Sequence, residues 1–334
     1  MSPTNNKTKH IRLVTIGVSH YCEKARWVLD HLEARADNPY YYTEDAHPPG
    51  LHAWETLGLS NGEASQTPMI EWRDERDERQ ILYSSTAIAR RFLPDWYPED
   101  IKEQVEQMED DLGARLGPSA RCFCYHHLLS HLEESRNHER MVQICANPNH
   151  VAKVEHILFD TMLDRGIAQG MRRSIHITED TAQACLVELR QLFSELSQRL
   201  TQSGGEYLMD TKTKSYGLTA ADVTLAALAS PVLRPRELQD WLLPFDQFPN
   251  EINDLTKDLV ATKAGQHVLK IYRKHRLQQQ QKGDRPARVV MKTQNRDRFP
   301  SEWFVGIILV PVGIIGAFFS APANTSNWRA RKPH

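Results

Sequence analysis

Ser19, Tyr21 and Cys22 lie between an apolar run and a segment of helical periodicity near the start of the chain. The run at 11–16 is rich in β-branched residues, which is typical of a buried strand, and apolar residues recur at helical spacing from Ala25 onward. A hydroxyl or thiol at such a junction would lie against the first free amides of a helix, where partial positive charge favours a thiolate. The pattern therefore predicts a chemical site in a turn between a strand and a helix.

The elements that would surround this turn alternate between strand and helix patterns. Short strands are predicted at three further places: 40–43, 66–72 and 80–83. The charged run at 73–79 is interpreted as a solvated loop between the last two strands. Ser84 and Ser85 precede a helix that ends at Phe92. This order predicts a compact α/β domain over 10–93.

Helical periodicity dominates the next part of the chain, after Pro94 and Pro98. Helices are predicted at 101–116, 151–167, 181–200, from 219 onward, and at 252–275. Thr219 and Asp222 have the spacing of a capping box, in which each residue satisfies a free amide of the other, so Asp222→Ala should impair folding. The sequence therefore predicts an all-α domain over 99–276.

The two ends of the chain differ from its middle. Residues 1–9 are polar and are interpreted as a disordered lead, and residues 277–300 as a basic, Gln-rich linker. Residues 303–321 carry no charge, and about 19 helical residues would span roughly 28 Å, close to the hydrocarbon core of a bilayer. We therefore expect a transmembrane helix that anchors the chain by its C-terminus and leaves the folded domains in the cytosol. A buried C-terminal helix or strand is the alternative, because the segment contains Pro311 and three glycines.

Composition narrows the classes of function. The formal net charge of −2 gives no overall polybasic character, so nucleic acid is not expected as a partner. The five cysteines show no C-x-x-C pair and no secreted disulfide framework, which favours a reducing compartment. His126, His127 and His131 lack a carboxylate or cysteine at a fixed spacing, so no metal site is predicted.

Four short motifs, taken in order, resemble those of cytosolic-type glutathione transferases. They are SHYCEKAR at 19–26, TPMI at 67–70, SSTAI at 84–88 and GLTAAD at 217–222. The resemblance implies a thioredoxin-like N-terminal domain followed by a glutathione-transferase-type helical domain. It covers about residues 11–276 and does not extend to the tail.

The same resemblance implies glutathione as a co-substrate and gives four residues a binding role. Thr67 and a cis Pro68 would pair with the extended peptide of glutathione, and Ser84 and Ser85 would hold a carboxylate at a helix N-terminus. The family often carries an acid where this chain has Ser84. One of the interactions that bind the γ-glutamyl group would therefore be missing.

Three residues of the turn compete for the catalytic role that the resemblance implies. Ser19 lies where serine-type relatives carry the hydroxyl that stabilises the glutathione thiolate, and it is the first choice. Cys22 is the competitor, for thiol exchange, although relatives of that kind carry the cysteine at the position of Ser19. Tyr21 supplies a third hydroxyl, and His20 is expected to face solvent. Ser19 could also only cap its helix, and Cys22 could only pack in the core.

These observations leave two classes of function open. The first is a membrane-anchored glutathione transferase that adds the thiolate to a small electrophile, with a homodimer as a further partner. The second is a non-catalytic adaptor of the same fold that binds a protein partner at a membrane. A thiol-exchange enzyme that depends on Cys22 is a variant of the first.

Overall fold

The structure is a computed structural model that describes residues 9–238, 241–242 and 247–276. Its described strands all come from the first 83 residues, and helices follow. The strands are β1 (Lys9–Ile16), β2 (Tyr40–His47), β3 (Met69–Arg73) and β4 (Arg79–Tyr83). Each overlaps a segment that the residue pattern predicts as a strand.

These strands form one mixed sheet in the order β2-β1-β3-β4. β1 runs parallel to β2, whereas β3 is antiparallel to both β1 and β4. A parallel pair needs a crossover connection, and the helix α1 (His20–Ala34) supplies it. The apolar run at 11–16 is therefore part of an inner strand, and the end of that strand leads directly into the turn before α1.

Two shorter helices complete the part of the chain that contains the sheet. They are α2 (His52–Leu59) and α3 (Ser85–Phe92), and α3 packs against α1. Ala25, Val28, Leu29 and Leu32 of α1 are buried, as their helical spacing predicts.

The second part of the chain is helical. Its helices are α4 (Lys102–Leu128), α5 (Ser135–Cys145), α6 (Lys153–Met162), α7 (Ala168–Ser174), α8 (Glu179–Ser203), α9 (Ala220–Leu233), α10 (Asn250–Val260) and α11 (Lys263–Ile271). The long helix α4 packs against α8 and α9, and α9 also packs against α1. A buried apolar cluster runs through both parts of the chain, so α1 lies between the sheet and the helices.

Several boundaries differ from the sequence predictions. The helix α2 has no counterpart among the predicted elements. The helix expected at 101–116 continues through Gly117 and Pro118 to Leu128. The single helix expected at 252–275 is wrong, because the chain forms α10 and α11 with a break at Ala261 and Thr262.

The arrangement of a mixed sheet with helices followed by an all-helical part fits a glutathione-transferase-like fold, as the sequence resemblance implies. Within the described ranges, no helix has both the length and the apolar character needed to cross a membrane. The segment at 303–321, predicted to be a transmembrane helix, lies outside the described residues.

Candidate functional site

Ser19 occupies the turn between β1 and α1. It is the N-cap residue of α1, with φ −69° and ψ 124°, and its hydroxyl oxygen accepts a hydrogen bond from the amide of Cys22 at 3.5 Å. Its own amide donates to the carbonyl of Ile16 at 3.0 Å, which closes the turn. The hydroxyl therefore lies at the positive end of the α1 dipole, as the sequence predicts.

Cys22 lies one turn further along α1 and is fully buried. Burial raises the pKa of its thiol, although Arg26 and hydrogen bonds with Ser19 and Thr67 act in the opposite direction. A raised pKa keeps the thiol protonated at neutral pH. Cys22 is therefore a packed thiol that touches two of the predicted site residues.

The peptide bond between Thr67 and Pro68 is cis, as the resemblance implies. The ladder between β1 and β3 starts at the pair Val14–Met69, so Thr67 lies just outside it. The carbonyl of Pro68 accepts a hydrogen bond from the amide of Ser84 at 3.2 Å. This bond connects the cis peptide to the N-terminus of α3.

Ser84 precedes α3 in an unusual backbone conformation, with φ 86° and ψ 124°. Residues other than glycine rarely adopt a positive φ, and such strain is often found at functional sites. The side chain of Ser84 is exposed and makes no capping hydrogen bond to α3. Ser85, the first residue of α3, is buried.

A cavity of about 610 Å³ opens beside the α1 turn. Among the described residues that line it are Ser19, Tyr21 and Thr67, together with Tyr83 at the end of β4. Residues of α4, α5, α7 and α9 form its far wall. Cys22 does not line this cavity in the described part of the chain, nor do Ser84 and Ser85, which lie next to Tyr83 in sequence.

Tyr21 reaches from α1 across to α4. Its ring packs on Gly117, where a Cβ atom would come within 2.7 Å of the ring carbon Cζ and closer still to the hydroxyl oxygen. Burial raises the pKa of Tyr21, and the charge of Arg121 only partly offsets this. The hydroxyl is therefore protonated at neutral pH and can donate a hydrogen bond.

His20 and Arg121 line the same cavity, which the sequence did not predict. His20 was expected to face solvent, but the structure buries it to 3% exposure. Burial, together with the nearby charge of Arg121, lowers the pKa of His20 to about 3, so the ring is neutral. The partner helix that covers His20 is distant in sequence, so no local signal could have shown its burial.

Buried ion pairs hold α1 in place. Lys24 pairs with Glu109 of α4 and donates to the hydroxyl of Thr86 in α3 at 3.0 Å. Glu23 accepts a hydrogen bond from Arg276, near the end of the described chain, at 2.8 Å. The helix that carries Ser19 is thus fixed by charged groups of two other elements and by a hydroxyl of α3.

The histidines at the end of α4 and just after it each contact a different carboxylate. His126 lies 3.0 Å from Glu179, and His131 lies 3.3 Å from Glu133. Across the described ranges, no group of three or more His, Cys, Asp or Glu side chains could hold a metal ion.

The chain is similar in structure to several solved proteins. A serine-to-cysteine mutant of poplar glutathione transferase F1 has 14% sequence identity over 79% of this chain and 98% of its own, with a TM-score of 0.41. Ure2p in complex with glutathione has 11% identity over 78% and 94%, with a TM-score of 0.40. The β-etherase LigF from Sphingobium sp. strain SYK-6 has 15% identity over 78% and 98%, with a TM-score of 0.41. No protein-family model and no curated protein matches the chain.

Proposed function

We propose that this protein binds glutathione, stabilises its thiolate and adds it to a small electrophile. The observation that carries the proposal is that Ser19, at the positive end of α1, lines the same cavity as Thr67 of the cis peptide. A hydroxyl and a helix N-terminus at one end of a cavity suit a sulfur anion. Thr67, outside the sheet ladder, suits an extended peptide.

The chemistry requires the thiolate, because it and not the thiol is the nucleophile. A free thiol has a pKa of about 8.5, and a helix N-terminus favours a nearby anion by about 0.3–1 kcal/mol. A hydrogen bond from the Ser19 hydroxyl adds to this stabilisation. The thiol proton passes to solvent, the sulfur forms a bond to the electrophilic carbon, and the leaving group departs with the electron pair of its bond.

The rest of glutathione would lie along the neighbouring residues. Its peptide would pair with the backbone of Thr67, next to Pro68, and its γ-glutamyl carboxylate would approach Ser84 and Ser85 at the N-terminus of α3. The hydrogen bond from the Ser84 amide to the Pro68 carbonyl supports this, because it keeps both binding elements together. The exposed hydroxyl of Ser84 is available to the ligand.

Two alternatives to this proposal are a thiol-exchange enzyme and a non-catalytic adaptor. Thiol exchange through Cys22 is disfavoured, because its thiol is fully buried and its pKa is raised. A non-catalytic adaptor would keep the fold without the chemistry. Tyr21 fits the catalytic proposal as a second hydroxyl donor, since its raised pKa keeps the proton in place.

The deciding experiment measures glutathione binding to the full chain by calorimetry and conjugation with a chlorodinitrobenzene. We expect binding in the millimolar range or tighter. Ser19→Ala should lower the conjugation rate at least about tenfold, the effect of losing one charge-assisted hydrogen bond. Ser174→Ala is the matched control, because this serine lines the far wall and its hydroxyl donates to the carbonyl of Met171. Absence of glutathione binding at millimolar concentration overturns the proposal and leaves the adaptor.

We further propose that residues 303–321 anchor the protein to a membrane, with the folded part in the cytosol. We also propose that the protein forms a homodimer. The support for the anchor is the uncharged sequence of that segment. Full-length protein should co-sediment with lipid vesicles, and a form that lacks 303–334 should not. Pelleting of the truncated form would contradict the anchor. The molar mass of the truncated form, measured by light scattering, tests for the dimer.

A further inference from the structure

The cavity continues past Tyr21 into a region that the glutathione proposal does not use. We call this region the distal chamber and define it by Arg121, Tyr125 and Leu128 of α4, Ile144 of α5 and Met171 of α7. Four of these five side chains are apolar or aromatic. The chamber therefore suits an apolar body, with one cationic group in its wall.

The cation is Arg121. Its Nε atom is buried and has no hydrogen-bond partner, and its guanidinium forms no ion pair with an acidic side chain of the described ranges. The guanidinium lies 5.9 Å from the centre of the Tyr21 ring, which is a weak partner compared with a carboxylate. A partly buried arginine without an acid is costly to keep, so this one is suited to an anion from outside the protein.

A second polar atom of the same wall also lacks a partner. The Nε2 atom of His20 is buried and unbonded, while the ring makes a hydrogen bond with the backbone of Gly117. Buried polar groups are nearly always hydrogen-bonded in native proteins. Both residues line one cavity from different elements, and each has a buried polar atom without a partner, so this part of the wall suits a polar ligand group.

We infer that the distal chamber selects an electrophile with an apolar body and a carboxylate, which Arg121 binds through charge-assisted hydrogen bonds. This inference rests on the proposed function, because it names the substrate class of the same cavity. A planar guanidinium matches the two oxygens of a carboxylate.

The carboxylate would take no part in bond making. The glutathione sulfur still forms the bond to the electrophilic carbon, and the leaving group still departs with its electron pair. Arg121 would fix the far end of the electrophile, so that its reactive carbon lies on the side of Tyr21 that faces Ser19. Arg121 is thus a binding residue for substrate specificity.

The test uses an unreactive probe pair, dinitrobenzoate and its methyl ester, which share a ring and differ in charge. Binding of each to the full chain is measured by calorimetry without glutathione. We expect the acid to bind at least about tenfold tighter than the ester, the effect of a charge-assisted hydrogen bond. Arg121→Met should remove this preference, and Arg121→Lys should restore part of it. Arg173→Met, at an exposed arginine of α7, is the matched control.

The outcomes separate this inference from the proposed function. Equal binding of acid and ester, binding of neither, or an acid preference that survives in Arg121→Met overturns the inference. Loss of glutathione affinity in Arg121→Met also overturns it, because Arg121 would then belong to the glutathione site. An acid preference that depends on Arg121 in a protein that does not bind glutathione supports the chamber and refutes only the transferase.

Discussion

The Nδ1 atom of His47 lies 2.6 Å from a carboxylate oxygen of Glu155, and both residues are buried. His47 ends β2 and Glu155 belongs to α6, so this contact joins the sheet to the helical part of the chain. Asp45 lies on the other side of the ring, 3.3 Å from Nε2. An imidazolium held between two carboxylates is a stable charged group inside the protein.

This triad predicts a pH-dependent stability. Burial acts to lower the pKa of His47, but the hydrogen bond with Glu155 and the negative charges of Asp45 and Glu155 outweigh it and raise the value to about 10. The stabilisation is therefore fully present below about pH 6.5, the pKa of an unfolded histidine, and is lost as the pH rises towards 10.

The variant His47→Gln should lose about 3 kcal/mol of unfolding free energy near pH 6, and much less near pH 10. Urea unfolding of both proteins across that range measures the difference. His176→Gln, at an exposed histidine that follows α7, should leave the slope unchanged. A difference between wild type and His47→Gln that stays constant with pH would contradict the assignment.

Gly117 predicts a second effect, because the Tyr21 ring occupies the space of a Cβ atom there. Gly117→Ala should destabilise the protein by about 1–3 kcal/mol through overpacking, more than the gain of up to about 1 kcal/mol in helix propensity. Gly113→Ala is the matched control on the same helix, because nothing lies within 4 Å of its Cβ position, and it should be neutral or stabilising. Thermal unfolding compares the two, and equal midpoints would exclude the close contact.

Asp222 carries more bonds than the capping box that its spacing predicts. The box with Thr219 is confirmed, and the carboxylate also accepts from the amide of Leu208 at 2.9 Å and lies 3.0 Å from Nε2 of His267. Asp222→Ala should cost more than about 3 kcal/mol, because several buried donors lose their acceptor. Chemical denaturation should show a loss below about 0.5 kcal/mol for the exposed Asp254→Ala. A loss for Asp222→Ala near that of the control would refute the network.

The cysteines should differ in their reaction with iodoacetamide. Cys22 is fully buried and its pKa is raised, so it should stay unmodified while the protein is folded. A hydrogen bond with Cys185 lowers the pKa of Cys122, and Cys185 is half-buried, so alkylation should begin at this pair. Mass spectrometry of peptides gives the order. Early modification of Cys22 would revive the thiol-exchange alternative.

The strands, α1 and the capping box could be predicted because their signals are local. A β-branched run, an N-cap serine and a Thr-x-x-Asp pair each report on a few neighbouring residues. Thr262 shows that one further local signal was present but not used. Its hydroxyl accepts from the Gly265 amide at 3.0 Å, so this N-cap residue marks the start of α11 that the prediction of a single helix missed.

Other features depend on partners that are far away in sequence. β2 continues through Glu44 and Asp45, which local propensity disfavours in strands, because Arg26 and Arg12 pair with them. Helix α4 passes Pro118 because Leu112, Leu116 and Ala120 are all fully buried on one side. Tertiary contacts outweighed local preference at each of these places, and the burial of His20 has the same origin.

The hydrogen bond between Arg276 and Glu23 spans 253 positions of the chain. A ribosome releases Glu23 early and Arg276 only when nearly all of the described chain has emerged. Until then the carboxylate of Glu23 lacks this partner, and the core into which it fits cannot close around it without cost. The helix that presents Ser19 thus reaches its native surroundings late in synthesis, and the first ninety residues released alone would not form the finished site.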